Sequence, residues 1–407
     1  MGFWTCQRLR RLALCFIGAA LLAGCGERQP PSVEAFLEKH WSDPLPPQGV
    51  PPEGFSALEA SLSPESCGQC HVEQYQAWRT SLHNRAVGPG LLWQLKLMDQ
   101  EQGNRCLRCH APLAEQKALF ALQHGWKGAP SQPPPDYVEP GLGHRGLVCA
   151  ACHVRGHQRF GPPARGKAVE GAPHGGFKAT PAFQDSRFCA HCHQFGDDGP
   201  RINGKLQEDT YQQWRGSPQA RDKQCQSCHM PDRKHLWRGI HDPEMTRRAI
   251  DVSLSLADLG KGWFEAKATV RNVGAGHHFP TYMVPKVELI FLRREPNGRS
   301  QELGRQIIGW TVDTGITREI EDTRIPAGAS RSFSQRLLAP VASGWWLELV
   351  VRVRPGEHYE RIYRDSLARA DRLPTAVLPE LKQALEEVRA AEYELLRVEA
   401  RPGGASR

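Results

Sequence analysis

From about Arg248 onward the chain alternates. Ile250, Val252, Leu254 and Leu256 share one face of an extended run, as do Phe264, Ala266, Ala268 and Val270. Val287, Leu289 and Phe291 follow the same rule, and so do Leu347, Leu349, Val351 and Val353. Period-two runs separated by Gly, Pro and Asn turns predict an antiparallel β-sandwich, here over 248–366. Beyond Pro379 the stripe Leu381, Leu385, Val388 and Leu395 predicts an amphipathic helix within 367–407 that packs on the protein itself. Upstream, in 67–247, the pattern fades. Residues 128–143 and 161–176 are rich in Gly and Pro and read as loop. One helical face is legible, with His71, Tyr75, Trp78 and Leu82 at i, i+4, i+7 and i+11. The fold class is α + β: an irregular, mostly helical and loop domain, then the β-sandwich, then a C-terminal helix.

A region with so little apolar periodicity needs another source of core. Five copies of Cys-x-x-Cys-His supply it: Cys67, Cys70 and His71; Cys106, Cys109 and His110; Cys149, Cys152 and His153; Cys189, Cys192 and His193; Cys225, Cys228 and His229. This spacing is the attachment signal of a c-type haem: two thiols add to the two porphyrin vinyl groups, and the adjacent His becomes the proximal iron ligand. Structural zinc would leave the repeated His unexplained. A thioredoxin-like motif would occur once, near a βαβ pattern. The prediction is five covalently bound haems (iron), with Trp78, Trp93, Trp126 and Trp214 packing on them. Region 67–247 is then a pentahaem domain.

Ten of the thirteen cysteines are thereby used, leaving Cys6, Cys15 and Cys25. Arg8, Arg10 and Arg11, an apolar run from Leu12 to Leu22 and then Ala23-Gly24-Cys25 form a signal peptide over 1–24. Leu21-Leu22-Ala23-Gly24-Cys25 resembles a bacterial lipobox, which implies lipidation of Cys25 after cleavage. The expected location is the cell envelope, most simply the outer membrane, facing the periplasm or the surface. Residues 25–66 then read as anchor and Pro-rich spacer. Formal charge is +8, and removing the three signal arginines leaves about +5. Ferric haems, each of about −1 through their propionates, bring this near neutrality. The basic side chains are partners for propionates, and no nucleic-acid motif is present.

The string Tyr75, Trp78, Ser81 and His83 after the first motif, with CHVR at 152–155, FCAHCHQF at 188–195, CHMP at 228–231 and GHHFPT at 276–281, resembles the multihaem cytochromes c related to the tetrahaem cytochrome c of ammonia oxidisers. Five motifs and a β domain depart from the tetrahaem pattern. The resemblance implies His83 and His277 as distal iron ligands. His83 lies twelve residues from His71, about 18 Å along a helix, so it serves a different haem. His174 and His241, each near Gly in irregular chain, are read as two more. The fifth is chosen from His157, His144, His124 and His235, with His157 preferred. A partial echo, Tyr211, Trp214 and Ser217, carries Gln219 where the first copy has His83.

Six-coordinate haems suit an electron carrier between redox partner proteins. The alternative is a haem-dependent reductase or oxidase of a small nitrogen or sulfur compound, should one iron lack a distal ligand. A third reading makes the β domain a docking platform. The lipobox expectation has a direct check: Cys25→Ser protein leaves the membrane fraction with its haems intact, and continued membrane attachment contradicts it.

Overall fold

The computed structural model describes residues 32–166, 173–341 and 343–403. The signal segment and Cys25 lie outside the described residues. Among the described residues no helix is long and apolar enough to cross a membrane.

The alternating runs form two antiparallel sheets. One has three strands in the order Ser330–Leu338, Trp263–Asn272 and Ile250–Gly260. The other has four, in the order Tyr393–Ala400, Trp346–Arg354, Lys286–Arg294 and Ser300–Ile308. Registers place Leu254 opposite Ala268 and Leu349 opposite Phe291, so the apolar faces coincide. One core cluster spans both sheets, with Leu254, Ala266, Ala268, Val270, Leu289, Phe291, Leu349 and Val351 fully buried. This is sheet-on-sheet packing over alternating inward residues.

The C-terminal segment differs from expectation in one respect. Leu381, Leu385 and Val388 lie in a helix, Leu378–Ala390, and Leu381 packs with Trp93, Tyr363 and Val377. Leu395, the fourth member of the stripe, belongs instead to strand Tyr393–Ala400, which pairs with Trp346–Arg354. The helical period continued across a break that only the sheet edge explains. Arg354 ties these pieces together, donating to Glu392 at 2.8 Å and to Glu288 at 3.3 Å and pairing with Glu360.

The haem-motif half is built from short helices, and the Pro-rich segment is part of it rather than a free spacer. Trp41, Leu45, Ala60 and Leu62 share a core cluster with Trp78, Leu113, Leu142 and Val148. The Gln48 N–H donates to Glu115 at 2.6 Å. Prolines set the extended path, but the apolar side chains between them are long enough to dock. Trp126 closes on Gly103, where a Cβ would stand 2.4 Å from the indole.

Leu349 is fully buried in the sandwich core. Leu349→Ala is expected to cost about 2–5 kcal/mol through lost burial and a residual cavity. The measurement is chemical denaturation of the holoprotein, and a loss under about 1 kcal/mol would mean that the core relaxes around the site.

Candidate functional site

Each Cys-x-x-Cys-His sits on or beside a short helix. The second motif closes Gln100–His110, whose start is fixed by a capping box between Asp99 and Gln102. The third, fourth and fifth occupy Cys149–His153, Arg187–His193 and Cys225–His229. The first spans the junction between Pro64–Gly68 and Val72–Arg79. One helical turn puts the two cysteines at i and i+3 on one face, with the His directly beyond. All ten cysteines and all five motif histidines line one connected cavity of about 3220 Å³.

The motifs adjoin in an order different from the sequence. Proximity of the two thiols lowers Cys67 and raises Cys149, which places the first and third motifs side by side. By the same sign Cys109 lies beside Cys192 and Cys225 beside Cys189. Charge on Cys152 also reaches Cys189 and Cys192. The fourth motif therefore stands at the centre, adjoining the second, third and fifth. Among the described residues no His, Cys, Asp and Glu side chains gather into a set that would itself hold a metal ion.

Non-motif imidazoles face the motif histidines across the cavity. His229 and His277 have ring centroids 6.3 Å apart and planes 10° from parallel. His83 and His193 stand 6.3 Å apart at 45°, and His153 and His235 stand 6.1 Å apart at 36°. His174 lies near enough to His71 for its charge to join burial in lowering that histidine. His241 lines the cavity too. Among the described residues no imidazole faces His110 at such a spacing.

The outer nitrogens explain the orientation. Nδ1 of His110 donates to the Ala86 carbonyl at 2.6 Å, that of His153 to Phe160 at 2.8 Å and that of His229 to Arg238 at 2.6 Å. On the facing side, Nδ1 of His277 bonds the His278 carbonyl at 2.8 Å, His235 that of Arg233 at 2.9 Å, and His174 that of Gly176 at 2.9 Å. A hydrogen bond at Nδ1 leaves Nε2 free as a metal ligand and fixes the tautomer. Burial keeps the rings neutral, lowering His83 to about 3 and His153 and His277 to about 4. Neutral imidazoles whose free nitrogens share a cavity fit a haem iron between them.

His157 is a correction. It is buried outside this cavity, with Nε2 3.2 Å from the Gly49 carbonyl oxygen and its ring edge-on to Tyr137 at 4.8 Å. Its φ of +58° turns it towards the Pro-rich segment and away from the motifs. His235 faces His153 instead. The signal that favours His235 is the tight turn after the fifth motif, where Asp232 and Arg233 both have positive φ and send it away from its own cysteines. Two tryptophans also differ: Trp78 and Trp214 line the cavity, whereas Trp93 packs on Tyr363 and Trp126 beside His124.

The β domain delivers His277 on a braced loop. Asn272, fully buried, donates to the carbonyls of His277 at 2.8 Å and Ile325 at 3.0 Å and accepts from Ala275 N–H at 3.1 Å. Gln213, from the echo sequence, accepts from His278 N–H at 3.1 Å and Thr281 Oγ1 at 2.9 Å. Gly276 lies on Gln219 and Trp214, where a Cβ would approach Gln219 to 3.1 Å. The echo that lost its histidine is thus the seat of the loop carrying His277.

A family model described as cytochrome c554 and c-prime matches residues 66–129. The structure is similar to the crystal structure of a penta-heme cytochrome c552 from Thermochromatium tepidum, with a TM-score of 0.56 and 19% identity, covering 84% of this chain and 99% of that one. A Northeast Structural Genomics Consortium target, SoR45, aligns over 26% of this chain and 73% of its own at 13% identity, and its TM-score of 0.15 carries no argument. No curated protein matches. The chain has the fold and, across residues 66–129, the sequence features of a multihaem cytochrome c.

Proposed function

We propose that this chain is a pentahaem c-type cytochrome that passes electrons between redox partner proteins at a cell-envelope membrane, to which a lipid on Cys25 tethers it. The observation that carries this reading is the spacing of the facing imidazoles. Two nitrogens each about 2 Å from one metal ion, with ring centres roughly 1.1 Å further back, put centroids about 6 Å apart. Three pairs meet that spacing, at 6.3, 6.3 and 6.1 Å. His83, His235 and His277 are the distal ligands opposite His193, His153 and His229, with His174 opposite His71. His241, the remaining cavity histidine without a ring partner, is assigned to His110; the other one, His191, stacks on Trp41 at 4.9 Å.

A bis-His c-type haem, when bound, supplies a one-electron couple with no open coordination position. The chain's part is to hold neutral imidazoles, those of His110, His153, His174, His229, His235 and His277 through Nδ1 bonds to carbonyls, and to keep neighbouring groups close. Contacts between the thiols of different motifs do the latter. With the fourth motif at the centre, electrons entering at any motif have a short route to every other.

One observation favours a second reading. Among the described residues no ring faces His110 at ligand spacing, and Tyr282 and Tyr359 line the cavity together with Glu208. An open iron there would support a reductase or oxidase of a small nitrogen or sulfur compound.

Carbon monoxide titration of the reduced holoprotein separates the two. The carrier reading expects none bound, whereas one equivalent per chain moves the assignment to the second. The ligand set has its own check in absorption and EPR spectra. His235→Ala is expected to convert one haem of five to high spin, and His157→Ala none; the reverse pattern would restore His157.

A further inference from the structure

Four of the proposed distal histidines are held from the chain's interior, and one is not. His277 is braced by Asn272 and Gln213, as described above. The backbone of His83 receives the Leu147 N–H at 2.9 Å and packs on Gly146, where a Cβ would stand 2.5 Å from the His83 carbonyl oxygen. His235 lies in a turn closed by Trp237 N–H on the His229 carbonyl at 2.9 Å. His241 is followed directly by Asp242, which caps helix Pro243–Ala249.

His174 is different. It has φ +51°, and Gly175 and Gly176 follow at +66° and +74°. Three consecutive residues in the left-handed region suit the glycines and disfavour the histidine. Such a conformation persists where the surroundings hold it. Within 173–176 the turn bonds itself, through Gly176 N–H on Pro173 and Nδ1 of His174 on Gly176. Among the described residues its hydrogen bond to the rest of the chain is the His174 N–H on Oε1 of Glu59, at 2.7 Å. Oε2 of that carboxylate is fixed by Ser56, whose N–H and hydroxyl donate at 2.9 and 2.7 Å. The Glu59 carbonyl accepts from Arg159.

We propose that Glu59 is a positioning residue for the first haem-attachment motif: its carboxylate holds the His174 turn over His71, and loss of that one hydrogen bond opens this iron to a small exogenous ligand. The proposal rests on His174 being the distal ligand of that haem. Glu59 touches no reacting atom; it fixes the backbone that carries the ligand.

The test uses full-length holoprotein with haem content checked first. Glu59→Ala is expected to give a high-spin ferric signal from one haem of five and to raise carbon monoxide bound per reduced chain by one over wild type. Glu59→Gln keeps an acceptor oxygen in reach and is expected to match wild type. Ser56→Ala, which weakens the helix cap while leaving the carboxylate, is also expected to match. Should the Ala variant fail to mature, Glu59→Asp withdraws the acceptor by one methylene and is expected to show the same gain. If His174→Ala leaves every haem low-spin, the ligand assignment itself fails. If His174→Ala opens one haem while the Ala or Asp variant at 59 opens none, or if Gln behaves as Ala does, the role of Glu59 is overturned.

Discussion

Pairing of neutral imidazoles across a shared cavity is the constraint on which the rest of the structure depends. The motif half has apolar clusters of its own, one around Trp41, Leu62, Trp78, Leu113 and Leu142 and another around Val87, Leu95, Leu107, Ala111 and Phe120. Across the cavity the segments face one another through paired rings: His83 with His193, His153 with His235, His229 with His277. These partners are 110, 82 and 48 residues apart. Closure entropy grows only logarithmically, by about 0.6 kcal/mol for each doubling of loop length. A metal bridge can therefore close the longest of these loops for little more than the shortest.

The same constraint explains why a β-sandwich follows a region of loops. A histidine on irregular chain needs bracing, and the sandwich supplies it to His277 through Asn272, whose amide bonds His277, Ile325 and Ala275. The sandwich is stabilised by burial of its own alternating residues. The His174 turn bonds the Glu59 carboxylate instead. The two histidines differ in mechanical support while sharing the same outer-nitrogen bond to a carbonyl.

Period-two patterning made the sandwich legible because inward and outward residues must alternate when one face is buried. The motifs were legible because covalent chemistry fixes their spacing. Leu395 misled because a helical stripe and a strand residue look alike across a break of a few positions. The Pro-rich segment misled because composition predicts stiffness but not docking, and Leu45 and Gln48 are buried by partners distant in sequence. Distal ligands were the hardest. Proximity to glycine points to bending chain but not to direction, and His157 and His235 differ only in where a positive-φ turn aims them.

The most direct measurement is diffraction from crystals of the holoprotein at the iron absorption edge, which locates each metal without reference to the chain. The account predicts five iron peaks, with one lying midway between the rings of each pair His83 and His193, His153 and His235, and His229 and His277. An iron bonded to His193, His153 or His229 with no density from its facing histidine, or with a different residue in that position, would contradict it.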